Sequence, residues 1–147
     1  MTKTKIYLDC CCFNRPYDKQ KQLRISLETQ AKVDIQHRIA NGDLDLVVST
    51  MLFQENSMNK NQEARSYIEH FMLTHGSTLV ISDIPEIIDL RANIMATGIK
   101  SADATHLASA IHSHCDYFIT TDDRILKYRT DEIRIINPVQ FITEDKQ

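Results

Sequence analysis

The feature that most constrains the fold of this chain is the alternation of short apolar runs with segments of helical periodicity. Five apolar runs predict β-strands at residues 6–8, 44–48, 78–81, 117–119 and 133–136. A helix is predicted from about Lys19 to Asn41 by the apolar stripe of Leu23, Leu27, Ala31, Ile35 and Ile39. Such alternation is typical of an α/β domain whose mostly parallel sheet of about five strands is covered on both faces.

Length and composition indicate a globular protein. The 147 residues predict a single domain over 1–147, and 42% hydrophobic with 25% charged residues are ordinary values. The apolar runs are too short to span a membrane, and the first residues lack the apolar region of a secretory signal. We therefore expect a cytoplasmic protein with reduced thiols. The net charge of −3 disfavours nucleic-acid binding by bulk charge, although local basic patches remain open.

Local signals place the helix ends and the cysteines. Ser49 or Thr50 is expected to cap the helix after the second strand, and Ser101 to cap a helix over residues 102–114. Pro85 suits the first turn of a helix capped by Ser82 or Asp83. The cysteines at 10–12 lack the paired spacing of a zinc site, so we expect them to pack at the end of the first strand.

Four carboxylates stand at positions where an α/β sheet places ligand sites, outside the carboxyl ends of its strands. They are Asp9, Glu55, Asp103 and Asp122. Taken singly, Asp103 and Asp122 are ordinary helix-start residues and Glu55 is an ordinary solvated one. Asp9 follows an apolar strand and is harder to explain in this way. Together they would repel one another unless cations joined them. Oxygen ligands without a Cys or His pair suit Mg²⁺ or Mn²⁺, and two such ions can bind a phosphodiester and activate water.

Several segments in order resemble the PIN-domain family, particularly its small single-domain ribonucleases similar to VapC toxins. They are IYLD at 6–9, FNRP at 13–16, VVS at 47–49 followed by Glu55, SADATHLASA at 101–110 and FITTDDRIL at 118–126. The resemblance runs through most of the chain. It implies a three-layer α/β/α PIN-like domain and a Mg²⁺- or Mn²⁺-dependent endoribonuclease that leaves a 5′ phosphate and a 3′ hydroxyl.

The resemblance also assigns roles to residues. It implies that Asp9, Glu55, Asp103 and Asp122 bind the metal, with Asp123 as substitute or accessory for Asp122. Thr120 matches a common family hydroxyl, and Cys11 stands where the family often has Ser or Thr. Resemblance to VapC-like toxins further implies an antitoxin that covers the site, as in a type II toxin–antitoxin pair, and often a homodimer.

Further candidates would contact the RNA substrate. Arg15 and Arg124 lie beside the acids in sequence, and their planar forks can bind phosphate. Phe13 and Tyr17 are the aromatic residues that could stack on a base. For the basic stretch of Lys19, Lys21 and Arg24 a solvated face is the favoured interpretation of the lysines. His106 is expected either near the site or in the core.

Two alternatives remain at this stage. The first is a PIN-like module that binds RNA or protein with little or no catalysis, which the Cys11 departure and the acidic balance favour slightly. The second is a phosphatase or phospho-acceptor domain on a similar sheet. An aspartyl phosphatase would usually want a second Asp two residues after Asp9, and that position is Cys11. Metal binding separates the nuclease from the inactive module.

Overall fold

The sheet carries the predicted strands with shifted ends. The computed structural model describes residues 3–15 and 22–144. Its strands are β1 (Thr4–Leu8), β2 (Leu44–Ser49), β3 (Gly76–Val80), β4 (Tyr117–Ile119) and β5 (Arg134–Ile136). They form one parallel sheet in the order β3-β2-β1-β4-β5. The predicted α/β class with a five-stranded parallel sheet is therefore confirmed.

Helices connect the strands and flank the sheet. They are α1 (Cys10–Asn14), α2 (Leu23–Ala40), α3 (Thr50–Ser57), α4 (Gln62–His75), α5 (Pro85–Met95), α6 (Ser101–His112), α7 (Asp123–Leu126) and α8 (Pro138–Glu144). Ile6, Tyr7 and Leu8 of β1 are all fully buried. Because successive strand residues point to opposite faces, both faces of the sheet are covered. Within the described ranges, no helix is long and apolar enough to cross a bilayer.

The strand order reverses at β1, which positions a ligand crevice. From β1 the chain adds β2 and then β3 on one side, and it later adds β4 and β5 on the other. In open parallel sheets, ligands bind outside the carboxyl ends of the strands at such a reversal. β1 and β4 pair directly, with Leu8 opposite Ile119. The residues that follow these two strands therefore meet at the expected crevice.

Helix starts agree only partly with the capping predictions. Ser49 caps α3 as expected, because its hydroxyl accepts a hydrogen bond from the Leu52 N–H at 3.1 Å. Pro85 does open α5, but the cap position is Ile84 and no side chain caps this helix. Ser101 is the first residue of α6 rather than its cap, which is Lys100. Ser82 and Asp83 lie before the cap position of α5, and Ser101 lies after that of α6. None of the three caps a helix, so these predictions were wrong.

The run of cysteines forms a helix rather than the end of a strand. Asp9 accepts a hydrogen bond from the Cys10 N–H, and α1 begins at that residue. Cys12 is buried, Cys10 and Cys11 are partly buried, and all are free thiols. The predicted packing beside the strand holds, but the conformation differs. The capping carboxylate of Asp9 supplies the local reason, since it satisfies an N–H that starts the turn.

The buried face of α2 is rotated from the predicted stripe. Leu23 and Leu27 are 74% and 42% exposed, whereas Glu28 and Lys32 are 1% exposed. Ala31, Ile35 and Ile39 are buried as the stripe requires. The difference arises because Glu28 gains several hydrogen bonds in the interior, which a purely apolar pattern cannot anticipate. The predicted start near Lys19 lies outside the described residues.

Candidate active site

Asp9 lies at the carboxyl end of the central strand, where the strand order reverses. Its side chain is nearly buried. Besides the 2.8 Å bond from the Cys10 N–H to Oδ1, Oδ2 accepts a hydrogen bond from the Thr120 hydroxyl at 2.8 Å. Thr120 follows β4, so this bond joins the ends of the two strands on either side of the crevice. The carboxylate is therefore held in one orientation.

Cys11 contacts the same carboxylate through a weaker donor. Its Sγ lies 3.5 Å from Asp9 Oδ2 and 3.5 Å from Thr120 Oγ1. The sulfur also accepts a hydrogen bond from the Thr121 N–H at 3.4 Å. A thiol donates more weakly than a hydroxyl. Thr120 is therefore the main side-chain donor that orients Asp9, and Cys11 supplements it.

Glu55 reaches the site from α3 and is held by a buried histidine. Its Oε1 lies 2.8 Å from Nε2 of His106, which is 1% exposed on α6. The other ring nitrogen, Nδ1, lies 2.6 Å from the Tyr7 hydroxyl, and that hydroxyl lies 2.6 Å from Ser49 Oγ. These contacts form a continuous chain from the cap of α3 through β1 to Glu55. We call it the Ser49–Glu55 chain.

The donors and acceptors of this chain define a direction. When Nε2–H of His106 donates to Glu55, Nδ1 accepts a hydrogen bond from the Tyr7 hydroxyl. The Tyr7 oxygen in turn accepts a hydrogen bond from the Ser49 hydroxyl. Burial raises the pKa of Tyr7 well above its ordinary value, so the phenol keeps its proton. A second proton on His106 would reverse the direction of donation, so that it runs from His106 through Tyr7 to Ser49. The Ser49 hydroxyl hydrogen would then have no acceptor within the described ranges.

Negative charge acts on His106 from several sides. Burial lowers the pKa of this imidazole, but the hydrogen bond with Glu55 and the charges of Asp9 and Asp103 raise it more. The pKa is therefore above the ordinary value for histidine.

The pKa of Asp103 is raised in part by the charges of the other three predicted acids. Asp103 lies in the first turn of α6, partly buried, and its carboxylate accepts no hydrogen bond from a described residue. Burial raises its pKa, and Asp9, Asp122 and Glu55 raise it further, while His106 lowers it. Carboxylates from four separate elements are therefore close enough to repel one another at this edge of the sheet.

Asp122 and Asp123 have different partners. Asp122 is the cap of α7, and its Oδ1 accepts the Arg124 N–H at 2.9 Å. Asp123 is exposed and forms an ion pair with Arg24, whose Nη2 lies 2.9 Å from its Oδ1. That arginine lowers the pKa of Asp123. Asp122 therefore belongs to the group of acids at the crevice, whereas Asp123 is ion-paired with Arg24.

The basic residues near the acids form a network around Glu28. This buried carboxylate accepts hydrogen bonds from Arg15 Nε at 2.8 Å, Arg24 Nε at 3.0 Å and Asn137 Nδ2 at 2.6 Å. Arg24 also donates to the carbonyl of Thr121 at 2.9 Å. The network ties α2 to the segments beside the site. Arg15 is thus ion-paired in this structure, where we expected it to bind phosphate.

The remaining substrate candidates differ in accessibility. The side chain of Arg124 is exposed beside Asp122. Phe13 is fully buried and packs edge-on against Phe71 with ring centroids 6.2 Å apart. The expectation that Phe13 stacks on a base is therefore wrong, because its ring belongs to the core. Tyr17 and the two lysines at 19 and 21 lie outside the described residues.

The donor set fits a hard divalent cation by its chemistry. Four carboxylates supply oxygen ligands, as Mg²⁺ and Mn²⁺ prefer. Burial and the charges of Asp9 and Asp122 raise the pKa of Asp103, and a bound cation would favour its charged form. Among the described residues, no group of three or more His, Cys, Asp or Glu is already arranged to hold an ion. Binding would therefore require side-chain rearrangement at the carboxyl edge of the sheet.

Two groups of residues escaped the sequence analysis. Tyr7 was treated only as a strand residue and Ser49 only as a helix cap. Arg24 was considered only as part of a basic stretch, and Glu28 was not considered. A signal existed for the second pair, because Arg and Glu four residues apart share a helix face. His106 lies one helical turn after Asp103, which left it near the acids. Its bond to Glu55 crosses 51 sequence positions and has no local signature.

The fold and these residues define a class of α/β protein with acidic side chains at the switch point of a parallel sheet. Among solved structures, the chain is similar to one in the crystal structure of VapBC2 from Rickettsia felis bound to a DNA fragment from their promoter, with a TM-score of 0.56. The two chains are 13% identical, and the match covers 91% of this chain and 98% of that chain. No family model matches, and no curated protein matches significantly. The likeness thus shows a shared fold.

Proposed function

We propose that this protein is a Mg²⁺- or Mn²⁺-dependent endoribonuclease that hydrolyses phosphodiester bonds. The observation that carries the proposal is the convergence on Asp103, whose pKa is raised by its burial and then by the charges of Asp9, Asp122 and Glu55 from three other elements. The motif resemblance to VapC-like ribonucleases and the fold shared with a chain of VapBC2 support it. Carboxylates gathered at a crevice are the groups with which a metal-dependent phosphodiesterase binds its ions.

Each acid has a distinct role in the proposal. Asp9, fixed by Thr120, and Glu55, fixed by His106, are the oriented ligands. Asp103, without a hydrogen-bond donor among the described residues, is the ligand free to adjust, and Asp122 completes the set from the end of β4. Bound cations would polarise the phosphodiester and lower the pKa of a water molecule. Holding the ligands in place beforehand reduces the reorganisation needed during the reaction.

The test is cleavage of single-stranded RNA by the purified protein with Mg²⁺, with Mn²⁺ and with EDTA. We expect cutting with either metal, none with EDTA, and products with 5′ phosphate and 3′ hydroxyl ends. Asp9→Asn and Asp103→Asn should lower the rate by at least about 100-fold, since each removes a charged ligand from the reaction centre. End-labelled RNA on denaturing gels measures the rate and the ends.

Asp131→Asn is the matched control, because it removes an exposed carboxylate on the loop before β5. It should cut at the rate of the unmodified protein. Full activity in a folded Asp9→Asn, Asp103→Asn double variant would rule out the proposed site. A folded protein that binds RNA but cuts it in no lane would favour the alternative, a PIN-like binding module.

We also propose a protein partner, the antitoxin of a type II toxin–antitoxin pair, and a homodimer of this chain. The similar solved structure is that of VapBC2 bound to a DNA fragment from their promoter. A partner that covers the acidic crevice would inhibit cleavage. Purification from the native cell followed by light scattering should give a complex larger than one chain. Recovery as a free, fully active monomer would count against both partners.

A further inference from the structure

A cavity of about 680 Å³ lies at the carboxyl ends of β2 and β3 and is not used by the proposed mechanism. It is formed by α3, by the residues after β3, by α5 and by the start of α6. Gln54 and Ala102 line it, and they are the sequence neighbours of Glu55 and Asp103. Thr50 directly follows β2 and Ile81 directly follows β3, so the cavity lies at the same carboxyl edge of the sheet as Asp9 and Asp122, which follow β1 and β4. Its volume falls in the range of sites that hold a small organic ligand such as a nucleotide.

Arg91 of α5 lines this cavity, and its guanidinium has no partner among the described residues. Its Nε is buried without a hydrogen bond, and its guanidinium makes no ion pair with a described residue. This differs from Arg15 and Arg24, which are paired with Glu28. A buried donor without an acceptor is unfavourable. An arginine kept in that state in the wall of a cavity is a candidate for binding an anion.

The rest of the lining combines hydroxyl groups with an apolar wall. Thr105 Oγ1 donates to the carbonyl of Ser101, whereas the Ser101 hydroxyl makes no hydrogen bond to a described residue. Met51 and Ile81 supply apolar surface. Of the described lining residues, Arg91 alone is cationic and Asp83 alone is anionic. A ligand with one anionic group and one apolar face matches this lining better than a ligand with several negative charges.

We propose that the Arg91 cavity binds one nucleotide of the RNA strand next to the bond that is cut. Arg91 would bind the phosphate, and Met51 with Ile81 would contact the base or ribose. This inference rests on the proposed ribonuclease function. A single-stranded nucleotide offers the required combination, one negative charge on its phosphate and an apolar face on its base. The cavity and the four acids share the carboxyl edge of the sheet and the helices α3 and α6, so one RNA strand would contact both.

The test compares Arg91→Gln and Arg91→Lys with Arg129→Gln, which removes an exposed arginine outside the cavity. The first readout is steady-state cleavage of a 12-nucleotide single-stranded RNA. We expect Arg91→Gln to raise KM about tenfold with little change in kcat, because it removes a charge-assisted contact made in ground state and transition state alike. Arg91→Lys, which keeps the charge without the fork, should lie between.

The second readout is binding of the same labelled RNA in Ca²⁺, measured by fluorescence anisotropy at several salt concentrations. Loss of one phosphate contact should reduce the slope of log K against log salt by about 0.7. Arg129→Gln should leave both readouts unchanged. Circular dichroism and thermal unfolding should show that all three variants fold, because Arg91 makes no hydrogen bond or ion pair to a described residue.

Each result decides a separate point. RNA that is cut with the same KM by Arg91→Gln and Arg129→Gln would overturn the nucleotide cavity while leaving the ribonuclease intact. Binding of RNA that depends on Arg91 without cutting would support the cavity and reject the enzyme. A labelled oligoglutamate peptide is the third probe. Arg91-dependent binding of that peptide, with RNA binding unaffected, would assign the cavity to an acidic protein segment and overturn the proposal.

Discussion

At the scale of the residue, Lys32 is a buried charge with a measurable consequence. Its side chain is 1% exposed, and its Nζ lies 5.8 Å from the ring centroid of Phe13 and 5.6 Å from that of Tyr67. It has no ion pair in the part of the chain that the structure describes. Burial therefore lowers its pKa from 10.5 to about 8. The two aromatic faces offset only part of the lost hydration.

Lys32→Met should stabilise the protein at neutral pH. Between pH 8 and 10.5 the unfolded chain keeps a proton on Lys32 that the folded chain has lost, so stability rises with pH in this window. Below pH 8 the folded protein bears the cost of a buried charge. The lowered pKa sets that cost on the order of 3 kcal/mol. Urea unfolding at pH 7 should show a gain of that order, which shrinks as pH rises.

Lys60→Met is the control for this prediction, because Lys60 is exposed. It should leave stability unchanged within about 0.5 kcal/mol. Buried cysteines and tyrosines also titrate in alkali, and Cys10 and Cys115, with pKa values raised to about 12, favour unfolding there. The difference between variant and unmodified protein removes their effect. A difference that stays constant from pH 7 to 10 would contradict a lowered Lys32 pKa.

At the scale of the element, the Ser49–Glu55 chain joins β1, β2, α3 and α6. Tyr7→Phe removes its central hydroxyl and leaves buried polar atoms of Ser49 and His106 without that partner. We expect a loss of about 1–3 kcal/mol in the free energy of unfolding. Urea denaturation measures this loss, and the midpoint should fall while the slope stays constant.

Tyr117→Phe is the matched control, since that strand tyrosine makes no side-chain hydrogen bond to a described residue. It should be near neutral. A Tyr7→Phe protein as stable as the Tyr117→Phe protein would show that the chain does not contribute to stability. A cycle with His106→Gln adds a sharper measure. The two losses should fail to add, because both substitutions break one network.

At the scale of the whole molecule, cation binding and folding should be linked. A cation that binds the native acids and not the unfolded chain stabilises the protein by about 2.7 kcal/mol at 100 times its Kd. For a protein of this size, that corresponds to an increase in Tm of roughly 5–10 °C. Thermal unfolding with increasing Mg²⁺ or Mn²⁺ should show this increase. Asp103→Asn should lose most of it.

The control for this linkage is NaCl at equal ionic strength, which screens charge without occupying a site. It should raise Tm much less than the divalent ions do. An equal increase in Asp131→Asn and in the unmodified protein is expected, because Asp131 is exposed and lies outside the set of four acids. The same increase in Asp103→Asn would show that the cations act elsewhere on the surface.

Local sequence patterns were sufficient to predict most of the secondary structure. Period and length predicted the strands, most of the helices and the Ser49 cap, because apolar spacing and capping chemistry are properties of neighbouring residues. Asp9 and Asp122 could be placed at the ends of strands for the same reason. Whether the four carboxylates bind metal stays a prediction, since it rests on the motif resemblance and on the chemistry of carboxylate ligands.

Contacts between distant residues were decided only when the chain folded. The exposure of Leu27, the burial of Glu28 and the pairing of Arg15 all depend on partners far along the chain. The bond from His106 to Glu55 depends on how α3 and α6 pack, and the absence of a described partner for Arg91 depends on how α5 packs against them. Periodicity reports which residues share a face of one element. The partner of a buried charge is set by tertiary packing, because burial is tolerated only where another element supplies the compensating group.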